Sequence, residues 1–228
     1  MNTNTRRTFL FSVLLIVIIQ LCITYWVMNK APAPPAPPAP PAPPAHIALI
    51  FILSIIIIII LTTFHENIPP TFQFALFTFF SYLFGQLFYQ IKQREQYSIE
   101  IINEVIISTI SVFVSMAIIG SVLLSFGIKL GFKVWLILIV SLLSLIISRL
   151  ILIIASASAS AKNNIDKQTT QHKLLSALGI FLFSGYVIYD TNIILQGTYY
   201  NKNEHIRAAL SYYLDFINIF SNKLSLTD

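Results

Sequence analysis

The chain has 228 residues, of which 56% are hydrophobic and only 10% charged, with a mean hydropathy of +0.78. That balance excludes an ordinary soluble domain and points to a polytopic membrane protein in contact with the lipid bilayer. The net charge of +5 does not signal nucleic acid, because the basic residues are spread thinly over the connections and no basic patch carries interleaved aromatics.

Apolar runs lie at about residues 8–28, 47–64, 71–91, 101–127, 133–154, 174–196 and 206–220. Six are long enough for a roughly 20-residue crossing of the hydrocarbon core. The seventh is short and carries Asp215. The expected fold is all-α, a seven-helix transmembrane bundle in a single domain over residues 1–228, with six spans and a buried or re-entrant seventh helix as the fallback.

The first run follows Arg6 and Arg7. It is too long for the apolar region of a signal peptide and lacks a small-residue cleavage site, so it reads as a retained helix. The two arginines favour a cytoplasmic start, although the remaining loops are nearly balanced in charge. Cys22 is the only cysteine, which excludes an intrachain disulfide and leaves it as a small apolar residue of the first helix. Residues 31–45 read APAPPAPPAPPAPPA, a Pro/Ala-rich loop expected to extend as polyproline II.

The run SIIIIIIL at residues 54–61 is apolar on every helical face, as suits a helix surrounded by lipid. Pro69 and Pro70 suit the first turn of the third helix, where amides lack intrahelical partners. The many aromatics of that helix read as packing or interfacial anchors. Glu104 near the start of the fourth run reads as interfacial. Arg149, near the end of the fifth, either snorkels to the interface or reaches into the bundle as a charge partner. A polar low-complexity loop is expected over residues 155–173, opening with ASASASA.

The chemistry concentrates in the last two runs. An ionised carboxylate in hydrocarbon costs roughly 2.5–3.5 kcal/mol on insertion scales, so Asp190 and Asp215 mark a polar site within the bundle. Tyr186 lies one turn before Asp190 on nearly the same face. In the last run Ser211, Asp215, Asn218 and Asn222 recur at helical spacing and form one polar stripe. If the two carboxylates meet in a low-dielectric bundle, one apparent pKa rises and the pair titrates as a unit, which suits a pH gate or a cation site. The bland alternative is that each aspartate caps a helix or pairs separately with a basic residue.

Other chemistries have little support. His46, His65, His172 and His205 fall in connections or at helix ends without metal-ligand spacing, so no structural metal and no cofactor are expected. Soluble catalytic signatures are absent. Tyr189-Asp190 matches one half of the aspartyl intramembrane protease pattern, but no Gly-x-Gly-Asp completes it, and the chain is not expected to be an enzyme.

The segments GYVIYDTNIIL and AALSYYLDFINIF together resemble the C-terminal signature of the Bax inhibitor-1 family, also called the transmembrane Bax inhibitor motif or Lifeguard family. The family's Tyr-Asp-Thr is here Tyr189, Asp190 and Thr191. Its Ala-Leu-Ser-Leu-Tyr-Leu-Asp run is here the segment opening at Ala209, with Tyr212 in place of the usual leucine. ENIPPTFQFALFTFFSYLFG is similar to the family's second-to-third helix region. The resemblance implies a seven-helix bundle in which Asp190 and Asp215 form a pH-sensing dyad that controls a calcium leak, with Tyr186, Ser211 and Asn218 around it. Family members lower calcium in intracellular stores and suppress cell death, and some viruses carry copies.

The basic residue that latches the dyad in many members is replaced by His65 and Glu66, so that either the latch is lost or Arg149 takes its place. The Pro/Ala tract is foreign to the pattern. The resemblance implies a pH-sensitive calcium or cation leak in the endoplasmic reticulum or Golgi membrane, with Ca2+ as permeant ion and cell-death regulatory membrane proteins as partners. A non-conducting interaction protein that modulates cell death or membrane organisation through helix contacts is the alternative.

Overall fold

The computed structural model describes residues 3–30, 44–158, 165–201 and 203–227. Among them seven α-helices follow one another: α1 Thr3–Met28, α2 Pro44–Thr63, α3 Pro70–Glu95, α4 Ile99–Ser125, α5 Phe132–Ser158, α6 Ile165–Gln196 and α7 His205–Leu224, with a short 3-10 turn at His65–Asn67 between α2 and α3. No strand occurs among the described residues. The all-α expectation holds.

Among the described residues five helices are long and apolar enough to cross a membrane: α1, α3, α4, α5 and α6. The sequence suggests six. The sixth is the second run, described from Ile47 to Thr63 as a shorter apolar stretch within a helix of 20 residues, Pro44–Thr63. The helix α7 is the short seventh run, and it is largely buried, with Ala208, Ala209, Tyr212, Tyr213 and Ile219 completely enclosed.

The loop expected over residues 155–173 is much shorter. Helix α5 continues to Ser158 and α6 begins at Ile165, because alanine is the best helix former and polar residues are compatible with a first helical turn. The proline-rich tract lies outside the described residues except at its end, where Pro44 opens α2.

The chain forms two compact units, residues 1–99 with 200–213 and residues 100–199 with 214–228. In the first, α3 packs on α1 and on α2. Gly85 permits close approach: a Cβ there would lie 2.6 Å from Val27 Cβ and 2.9 Å from the Thr24 carbonyl oxygen. Thr24 Oγ1 donates to the carbonyl oxygens of Gln20 (3.0 Å) and Ser81 (3.1 Å). With its one proton so engaged, Thr24 accepts from the Tyr213 hydroxyl at 2.6 Å. Phe77, Phe80 and Phe84 surround the Tyr213 ring with centroids at 5.3, 5.8 and 6.4 Å, all near edge-to-face. Phe77, Phe80 and Phe84 are therefore packing residues, whereas Phe72, Phe79 and Tyr82 of α3 are exposed. At the N-terminus of α7, His205 stacks on Phe9 at 4.4 Å, and burial holds its imidazole below the ordinary pKa.

In the second unit α5 packs on α6 and turns an apolar face outward, with Ile137, Ile147, Ile151 and Ile154 exposed. Such a face belongs in lipid. Gly127 and Gly197 end α4 and α6 with φ of 79° and 67°, a conformation that glycine adopts without a Cβ penalty.

Candidate functional site

Both aspartates belong to the second unit. Asp190 sits in the last two turns of α6 and Asp215 in the middle of α7, and they are only 7% and 5% exposed. They are close enough for their charges to interact. Tyr186, one turn before Asp190 on α6, lies within electrostatic reach of both. Its hydroxyl and Asp215 Oδ2 are buried without hydrogen-bond partners. A buried carboxylate oxygen without a hydrogen-bond partner is costly while ionised unless a proton or a cation is held there. The arrangement can therefore hold a proton or bind a cation.

Polar cross-links set the α6 register around Asp190. Asn192 is fully buried; its Nδ2 donates to the carbonyls of Gly120 (3.2 Å) and Ile128 (3.0 Å), while its Oδ1 accepts from the Leu130 amide at 2.9 Å. Gln196 Nε2 donates to the Leu130 carbonyl at 3.0 Å and to Asn192 Oδ1 at 2.7 Å. Together the two amides clamp α6 to the end of α4 and to the connection that follows. Sequence reasoning does not single them out as working residues, although amides inside an apolar run are themselves a signal of buried polar contacts. Thr191, just after Asp190, donates back to the Val187 carbonyl at 2.8 Å.

On α7, Ser211 stands one turn before Asp215 and is half-buried. Asn218 Nδ2 donates to the Leu214 carbonyl and Asn222 Nδ2 to the Asn218 carbonyl, both at 2.7 Å. The stripe thus satisfies its amide donors largely within the helix. Asn222 Oδ1 accepts from Arg149 of α5, and a Cβ on Gly179 of α6 would meet the same side chain. Lys223 Nζ donates to Ser108 Oγ of α4 at 2.6 Å.

Arg149 thus reaches a polar partner on α7. Its register on α5 brings it to Asn222, seven residues beyond Asp215 and about 10 Å further along α7. His65 meets Glu204, 3.5 Å from its Nε2, within the first unit.

Over nearly the whole chain, residues 2–227, the sequence matches the family described as Inhibitor of apoptosis-promoting Bax1. It is 36% identical over 59 residues to Protein lifeguard 4 of Mus musculus, covering 26% of this chain and 24% of that protein. It is likewise 36% identical over 55 residues to the Golgi anti-apoptotic protein of Vaccinia virus, strain Lister, covering 24% and 22%. A Campylobacter jejuni protein is 34% identical over 76 residues, 33% of this chain and 32% of its own length. The matched segments span about a third or less of the length of these relatives.

Proposed function

The chain belongs to the family of inhibitors of apoptosis-promoting Bax1, and we propose that it is a proton-linked cation leak of an intracellular membrane that suppresses cell death, with Ca2+ as the permeant ion. The observation that carries this reading is the buried pair Asp190 and Asp215, with Tyr186 in reach of both and one carboxylate oxygen left without a hydrogen bond. Two carboxylates in a low-dielectric bundle share a proton, and exchanging that proton for a cation couples pH to ion passage. The dyad acts on ions rather than as a catalytic pair. Ser211 and Asn218 line the same stripe of α7 as Asp215 and set its polarity.

Suppression of cell death is supported by the vaccinia relative, named a Golgi anti-apoptotic protein. The same name favours the Golgi membrane over the endoplasmic reticulum as the site of action. Cell-death regulatory membrane proteins are then partners downstream of the ion flux.

The experiment is calcium flux in proteoliposomes across about pH 6 to 8, the range in which a proton-sharing pair is useful as a gate. The native chain is compared with Asp190→Asn and Asp215→Asn. A pH-dependent flux altered by both substitutions supports the leak. A folded native chain that passes no more calcium than empty liposomes removes it, and leaves a non-conducting protein acting through helix contacts.

A further inference from the structure

We infer that His65, Glu66 and Glu204 form a binding site for a divalent transition-metal ion of the Zn2+ class, through His65 Nε2 and one carboxylate oxygen of each glutamate. The site lies within the first unit and does not rest on the leak reading. One potential ligand atom from each of the three residues falls within 4.8 Å of the others.

The chemistry of the histidine carries the argument. His65 Nδ1 is 3.0 Å from the Thr62 carbonyl oxygen, which can only accept, so Nδ1 holds the proton. In the neutral ring Nε2 is then a bare lone pair. It is buried and has no hydrogen-bond partner. It faces Glu204 Oε1 at 3.5 Å and Glu66 Oε1 at 4.0 Å. Three electron-rich atoms thus converge on one space suited to a positive species.

Distance favours a metal over a hydrogen-bonded proton. A proton on Nε2 would need an oxygen at about 2.7–3.2 Å to make a normal hydrogen bond, closer than either carboxylate stands. A tetrahedral metal with bonds of about 2.0–2.2 Å separates its ligand atoms by roughly 3.4 Å. The His65–Glu204 separation already fits the metal. The Glu66 side chain is 77% exposed and can rotate inward without disturbing the core. An imidazole nitrogen among so few ligands favours Zn2+ over Ca2+, which takes six to eight oxygens.

The surroundings are those of a pre-organised site. The bond from Nδ1 to a backbone carbonyl is the outer-shell contact that orients metal-binding histidines. Gln73 Nε2 donates to the carbonyls of His65 (2.7 Å) and Ile68 (2.8 Å), pinning the turn to α3. The Glu204 side chain is 8% exposed. Asn201 donates to its Oε1 at 2.8 Å and Arg207 to its Oε2 at 3.0 Å. Each carboxylate oxygen keeps a second lone pair. Arg207 offsets one carboxylate charge, and the other remains to attract a cation.

The test is Zn2+ titration of the tag-free full chain in detergent against a chromogenic chelator, with the visible absorption of the Co2+-loaded protein as an independent report of coordination. The native chain is expected to bind about one equivalent, and His65→Gln and Glu204→Gln each to weaken binding by at least about tenfold and to abolish the Co2+ spectrum. Glu66→Gln, at an exposed position that does not threaten folding, is expected to weaken binding severalfold. Glu104→Gln, an exposed carboxylate in the other unit, is expected to leave it unchanged. Absence of a stoichiometric Zn2+ equivalent, or native-like binding by folded His65→Gln and Glu66→Gln, overturns the proposal.

Discussion

Gly120 of α4 meets the backbone of α6 so closely that a Cβ on it would stand 2.5 Å from the carbonyl oxygen of Ile188 and 2.9 Å from Thr191 Cβ. Real Cβ atoms do not tolerate such approaches, so the contact needs glycine, and the turn it presses against carries Asp190. Gly120→Ala is expected to destabilise the protein by about 1–3 kcal/mol through overpacking. A lowered thermal midpoint in detergent would confirm this. Gly131→Ala is the control, since nothing lies within 4 Å of a Cβ there.

Tyr186 tests whether the dyad is a working site or merely a packed one. Its hydroxyl is buried and unsatisfied, so removing it costs no hydrogen bond. Tyr186→Phe is expected to be neutral or to stabilise the fold by up to about 1 kcal/mol. In the same protein the pH dependence of calcium flux should move, because a dipole within reach of both carboxylates is gone. An unmoved profile would remove Tyr186 from the site.

The contact between Thr24 and Tyr213 yields a stability prediction. Both side chains are buried and their oxygens are 2.6 Å apart. Tyr213→Phe is expected to cost about 0.5–1.5 kcal/mol and Thr24→Val somewhat more, since the threonine hydroxyl also serves two carbonyls. The double substitution should cost less than the sum, because the two residues share one hydrogen bond. Thermal or denaturant unfolding of the four proteins measures the coupling, and strict additivity would refute it.

Much of the fold was legible in the sequence because lipid imposes a simple rule: a backbone in hydrocarbon must satisfy its own hydrogen bonds, so long apolar runs become helices. The helix boundaries were less legible where composition is ambiguous. The Ala/Ser tract continues α5 to Ser158, and the polar stretch from Ile165 joins α6, since neither needs burial to be helical. The aspartates were legible for the opposite reason: charge within an apolar run has few explanations.

The partners of those residues were not legible. Nothing in the spacing of Arg149 tells that it will meet Asn222, or in Asn192 that it will bind the Gly120 and Ile128 carbonyls. The four histidines show no metal spacing in the chain, yet folding brings His65 to Glu204.

The sequence by itself determined a helical membrane protein with two buried carboxylates, because hydropathy and helical period are local properties. Only the tertiary structure decided that Asp190 and Asp215 are both buried in one unit, that Arg149 turns to Asn222, and that His65 confronts two glutamates. Those outcomes depend on helix register and close approach, as where Gly120 meets Ile188 and Gly179 meets Asn222, and packing of that kind is a property of pairs of segments rather than of either one.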